Sequence, residues 1–162
     1  MSNQKSGLYR LCMGLYVTYG LCGVMQFSPM AILVATVVLT LAIIAAHIGH
    51  TKAKGTLYES HFQWLVRTFW IGGGVYLPVM SVMAAIVIVS EFDTTAVKAA
   101  AEAGEESVAV LTELLLRENR SVISMVYFSL FFPFTIWWLY RCISGARRLI
   151  KGDEVPDPER WI

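Results

Sequence analysis

Three observations predict an all-α membrane protein with four transmembrane helices. Of the 162 residues, 56% are hydrophobic and 15% charged, more apolar side chain than a domain of this size can bury in its own core. Several apolar runs are each long enough to cross about 30 Å of hydrocarbon, which takes about 20 helical residues at a rise of about 1.5 Å. The Lys and Arg residues gather at the ends of some runs and are sparse at others, the asymmetry that orients membrane helices. The lipid bilayer is therefore the expected partner. The net charge of +1 carries no message about nucleic acid, and none is expected to bind.

Residues 1–7 read as a short polar tail. The first span runs from about Leu8 to Phe27, with Arg10 close enough to its start to snorkel to the surface. Lys5 and Arg10 ahead of an apolar run suit a signal peptide, but no small-x-small cleavage site follows, so this segment is expected to stay as an anchor. Ser28-Pro29 turns the chain, because proline lacks the amide donor and restricts the residue before it. The second span, about 30–48, is apolar all round, and the short connection makes spans one and two an antiparallel hairpin. His47 to Gly55 reads as a polar, basic loop with Gly49 and Gly55 as breakers.

The third span, about 62–90, belongs to a helix starting near Thr56. Within it Gly72-Gly73-Gly74 lets a neighbouring backbone approach, and Pro78 deprives the Gly74 carbonyl of its helical donor, which predicts a kink. Residues 91–120 are charged, alanine-rich and helix-forming. They predict an amphipathic helical excursion outside the membrane, capped by Thr94 or Thr95, with Val108, Leu111, Leu114 and Leu115 as an apolar stripe. The fourth span is about 122–140, with Pro133 as a second kink. A cytoplasmic tail, 141–162, follows; Arg141, Arg147, Arg148 and Lys151 suit a segment lying on the membrane surface, and Trp161 suits the interface. The spans pair as two antiparallel hairpins within one membrane domain. Cys12, Cys22 and Cys142 lack CxxC spacing and read as buried small hydrophobes.

Orientation follows from the cations. With both termini on one side, that side holds Lys5, Arg10, Lys52, Lys54, Arg67, Arg141, Arg147, Arg148, Lys151 and Arg160, and the other holds Lys98, Arg117 and Arg120. The richer side is cytoplasmic by the positive-inside rule, so both termini are placed there.

The stretch Leu57–Trp70 is where polar residues crowd among aromatics at a membrane boundary. On a helix Glu59, Gln63 and Arg67 follow one another at i, i+4, so they share a flank, and His61 lies off it. One reading is an interfacial ring: Arg67 reaches lipid phosphates, Glu59 or Gln63 satisfies it, and Trp64 and Trp70 sit in the aromatic belt. The sharper reading is a polar cleft on the cytoplasmic side, lined by Glu59, Arg67 and Arg141, that takes an anionic lipid head group or a protein. His47, His50 and His61 are weak metal candidates with Glu59 as a fourth ligand, but their spacing matches no metal signature, so no metal and no cofactor is expected. No HExxH, GxSxG, phosphate loop or Rossmann fingerprint occurs, so no enzyme is expected.

The string Gly55-Thr-Leu-Tyr-Glu-Ser-His-Phe-Gln-Trp-Leu-Val-Arg-Thr-Phe-Trp70, with Trp138-Leu-Tyr-Arg141 and Gly145 through Lys151-Gly-Asp153, resembles the DUF4870 group of small bacterial inner-membrane proteins, itself described as similar to the Tic20 import component. The resemblance covers most of the chain. It implies a compact helical protein of a bacterial inner membrane and marks Glu59, His61, Phe62, Trp64, Arg67, Thr68, Phe69, Trp70, Tyr140, Arg141 and Gly145; it supplies no reaction. The acidic excursion departs from the tight turn that the pattern implies.

The functional expectation is a non-enzymatic interaction subunit whose excursion or cytoplasmic face docks a protein partner; an immunity protein against a membrane-acting toxin is one form. The alternative is a homo-oligomeric transporter or channel component, since four spans enclose too small a lumen alone.

Overall fold

The structure, a computed structural model, describes residues 2–25 and 29–158. Among these residues there is no strand, and four helical stretches are long and apolar enough to cross a membrane: Ser6–Met25, Ala31–Lys52, Leu57–Glu91 and Arg120–Lys151. The Ser28 half of the first turn and Trp161 lie outside the described residues.

In chain order the helices are α1 (Ser2–Met25), α2 (Pro29–Lys52), α3 (Leu57–Phe69), α4 (Leu77–Glu91), α5 (Thr95–Glu102), α6 (Val108–Glu118), α7 (Arg120–Val126) and α8 (Phe132–Lys151), with π-helical segments at Trp70–Tyr76 and Tyr127–Phe131. The backbone clusters into two compact units. One comprises the residues up to Tyr76 and those from Phe134 onward, the other Leu77–Pro133.

In the first unit α2 packs against both α1 and α3. Apart from Ile43 its buried positions are small: Ala35, Ala42, Ala46 and Gly49. Its bulky side chains, Leu33, Val37, Leu41 and Ile44 among them, face outward. That division suits a bilayer, where lipid is as apolar as leucine and helices associate through close van der Waals packing at small residues.

Gly49 does not break the helix. α2 continues to Lys52 and carries His47 and His50 in its last two turns, and the ring of Phe62 fills the space that a Cβ at Gly49 would need. The expected loop from His47 therefore shrinks to Ala53–Thr56, with Gly55 in the left-handed region at φ +73°.

The two expected proline kinks take a specific form. Each π-helical segment ends two residues before a proline, at Tyr76 before Pro78 and at Phe131 before Pro133. The wider turn moves the carbonyl four residues upstream away from the pyrrolidine ring and gives the freed acceptors new geometry.

In the second unit the excursion is two helices rather than one. Gly104, at φ +93°, ends α5: its N–H donates to the Ala101 carbonyl at 3.1 Å, and the Glu105 N–H donates to the Ala100 carbonyl at 3.0 Å. This pair of bonds is a Schellman cap. Ser107 then opens α6 as its N-cap, and its hydroxyl accepts the Val110 N–H. At the start of α5, Thr94 holds the N-cap position without a side-chain bond. Asp93 supplies it instead, its Oδ1 accepting the Thr95 N–H at 2.8 Å. That bonding, from the Thr95 hydroxyl first and then from its N–H, holds the Asp93 carboxyl below its ordinary value.

The largest correction concerns residues 141–151. They are not a tail but the second half of α8, which runs unbroken to Lys151. Hydropathy falls after Tyr140, yet Arg141, Cys142, Gly145 and Leu149 are all buried at helical spacing. Periodicity, not hydropathy, marks this half as packed.

Candidate functional site

α3 begins with its polar groups already spoken for. Glu59 turns back toward the helix start, where its Oε2 accepts the Gly55 N–H at 2.7 Å, a carboxylate satisfying an orphan donor near the positive end of the helix. Ser60 donates to the Leu57 carbonyl at 3.0 Å and accepts the Val155 N–H at 3.1 Å.

His61 is wholly buried. Its Nε2 lies 2.9 Å from the Asp153 carbonyl and its Nδ1 3.0 Å from the Tyr16 hydroxyl. A carbonyl can only accept, so Nε2 carries the proton and Nδ1 accepts from Tyr16. The imidazole thus joins α1, α3 and the segment after α8. What holds Asp153 in place is the end of α8: Gly152, at φ +75°, donates to the Leu149 carbonyl at 3.2 Å, and the Asp153 N–H donates to the Arg148 carbonyl at 3.0 Å. This is a second Schellman cap, and its Gly152 sits where such a cap calls for glycine.

One turn along α3, Trp64 donates from Nε1 to the Arg141 carbonyl at 3.1 Å. The Arg141 guanidinium carbon lies 3.5 Å from the centroid of the same indole and 5.3 Å from that of Trp137. Its Nε donates to the Thr68 hydroxyl at 2.9 Å, which itself donates to the Trp64 carbonyl at 2.7 Å. Arg141 is only 1% exposed. A buried guanidinium over an indole face gains about 2 kcal/mol from the ring quadrupole, and hydrogen bonding to hydroxyl oxygen replaces part of its lost hydration.

Trp138 is the third anchor. Its indole stacks on Tyr19 with centroids 5.6 Å apart and donates to the Tyr19 carbonyl at 2.8 Å. It fits because Gly23 and Gly72 have no side chain: a Cβ at either would lie 2.6 Å from the ring. Gly145 likewise yields its space to the Tyr16 ring. α8 is thus held by aromatic rings seated against glycine, its own Trp138 on Gly23 and Gly72 and the Tyr16 ring of α1 on its Gly145.

No family model, curated protein or solved structure matches this chain.

The expected residues divide into two sets. His61, Trp64, Thr68 and Arg141 come together as the buried polar hub of the first unit. Glu59, Gln63, Arg67 and Trp70 lie at its margin, the first three half-buried and Trp70 exposed. The cleft expected from Glu59, Arg67 and Arg141 is corrected on two counts: Arg141 is sealed between indoles, and Glu59 is engaged at the helix start. Arg67 keeps a buried Nε without a hydrogen-bond partner. The three imidazoles do not gather either. His47 bonds the Ile43 carbonyl of its own helix, and no group of three or more His, Cys, Asp or Glu residues is placed to hold a metal ion among the described residues. All three cysteines are buried thiols.

Missed from the sequence were Tyr16, Tyr19, Asp153 and, in the second unit, Asn119. Asn119 is 2% exposed. Its Oδ1 accepts the Asp93 N–H at 2.7 Å, and its Nδ2 donates to the carbonyls of Asp93 and Leu115, both at 2.9 Å. One side chain thus clasps the base of the excursion as a strand partner would. An Asn just past a leucine-rich helical run was the available signal.

Proposed function

We propose that this chain is a non-enzymatic interaction subunit of a bacterial inner membrane, with its spans in two antiparallel hairpins, both termini cytoplasmic, and the α5–α6 hairpin outside docking a protein partner. The observation that carries this reading is that neither α5 nor α6 has a buried residue. A pair of helices standing outside the bilayer ordinarily buries its apolar stripe in a core. Here Leu111, Leu114 and Leu115 are only half-buried, and Val108, Val110 and Leu116 stand 76%, 48% and 52% exposed. Residues 91–120 carry seven acidic side chains against Lys98, Arg117 and Arg120. An apolar stripe in an acidic surround suits a partner with an apolar centre and a basic rim. The ten-to-three division of cations supports the orientation.

A photo-crosslinking side chain at Val108 in native membranes tests this. The expected product is one discrete adduct containing a different protein, lost when Leu116→Asp is added. An adduct of twice the chain's mass would move the reading to a homo-oligomer, the arrangement a transporter of this size requires, and no adduct would dispose of docking at this hairpin.

A further inference from the structure

The outer face of α8 changes character along its length. Ile136, Tyr140 and Ile143 are each more than half exposed, at spacings of four and three residues, so they form one apolar strip. The same face continues into a groove of about 410 Å³ lined by Tyr140, Ile143, Ser144, Arg147, Arg148 and Lys151, with Asp153 as its carboxylate. Three cations and a single carboxylate leave the groove with an excess of positive charge. The negative end of the helix dipole, worth about half a charge, is outweighed by them. Its nearby carbonyls at Arg148 and Leu149 are also already engaged in the C-terminal cap.

Depth distinguishes this groove from an ordinary basic patch. Within α8 the apolar run ends near Tyr140 and the exposed cations Arg147 and Lys151 follow within three turns, so the last turns of this helix belong at the head-group level. The exposed apolar strip lies on the membrane side of the groove. A ligand that fits both parts has an anionic head and a hydrocarbon body.

We propose that this groove is a binding site for an anionic phospholipid, its phosphate between Arg147, Arg148 and Lys151, its hydroxyl-bearing head group against Ser144 and Tyr140, and its acyl chain along Ile143, Tyr140 and Ile136. Bidentate pairing of guanidinium with phosphate supplies the directional part of the recognition. The excess positive charge selects lipids with net negative head groups over zwitterionic ones. The site lies wholly in the first unit and does not rest on docking by α5–α6.

The test is native mass spectrometry of the full-length chain released from micelles holding phosphatidylglycerol or phosphatidylcholine with matched acyl chains. One tightly held phosphatidylglycerol is expected, with little phosphatidylcholine. Arg147→Gln/Lys151→Gln removes two exposed cations and should weaken retention by roughly tenfold or more. Lys52→Gln/Lys54→Gln, equal in charge change, should leave it intact. Equal loss in both variants, or no loss in the first, would overturn the site, as would equal retention of the two lipids. Displacement of the lipid by millimolar inorganic phosphate would assign the groove to a soluble anion and overturn the lipid. Circular dichroism of both variants separates a lost site from a lost fold.

Discussion

Arg141 shows how far a single side chain can depart from what its charge suggests. Read by polarity, an arginine just after an aromatic span belongs at the lipid surface; here it is enclosed between Trp64 and Trp137 and bonded to Thr68. The planar guanidinium matters for that seat, since lysine can neither stack flat on indole nor offer an Nε donor at the right reach. Arg141→Lys is therefore expected to lower stability in detergent by about 1–3 kcal/mol. Arg67→Lys, at a half-buried position, should stay within about 0.5 kcal/mol of the parent. Thermal unfolding of the purified variants checks both, and equal effects would remove Arg141 from the hub. The same residues show what was legible. That Leu57–Trp70 would be central was readable from its crowding of polar and aromatic groups. Which flank is buried was not: helical spacing and polarity single out Glu59, Gln63 and Arg67, whereas the buried line is His61, Trp64, Leu65 and Thr68, of which His61, Trp64 and Thr68 were marked together only by the resemblance. Both flanks obey helical spacing, and polarity does not tell them apart because histidine, tryptophan and threonine bury readily when hydrogen-bonded.

Elements were legible where composition is extreme and obscure where it is mixed. Four apolar runs announce four spans, but the end of α8 depends on Gly152 and on burial that a hydropathy window averages away. The break between α5 and α6 likewise rests on Gly104, one residue in an alanine-rich run. At this scale the hairpin depends on Asn119, whose three hydrogen bonds tie its base. Asn119→Ala should therefore speed hydrogen exchange at the amides of Asp93 and Thr95 by tenfold or more, at about 1 kcal/mol for each bond lost. Acid should act in the same direction. The lowered Asp93 value means that its contribution is present above the ordinary value of 3.8 and is lost as pH falls through the lowered one. Exchange at the Thr95 amide, corrected for its intrinsic pH dependence, should therefore rise only in strongly acidic solution. A rise already complete at pH 5 would assign the effect to another group.

At the scale of the whole molecule the two units carry different kinds of information. The first holds nearly all the buried side chains and joins α1, α3 and α8 through His61, Trp64 and Trp138. Residues from Thr95 to Glu118 bury nothing, and the backbone positions that bracket them, Asp93 and Asn119, are hydrogen-bonded to one another. Deleting 96–118 therefore joins ends that already lie side by side. The shortened chain should insert, accumulate and melt within a few degrees of the parent while losing its crosslinked partner. Loss of accumulation instead would show that the hairpin belongs to the fold. The bond between His61 and Asp153, 92 positions apart, bears on how the protein is made. Residue 153 leaves the ribosome long after residue 61 has been handed to the membrane, so the imidazole waits with one of its two contacts unmade until α8 is inserted and capped. Chains that stall before Gly152 would keep that buried histidine without the carbonyl that accepts its Nε2 proton.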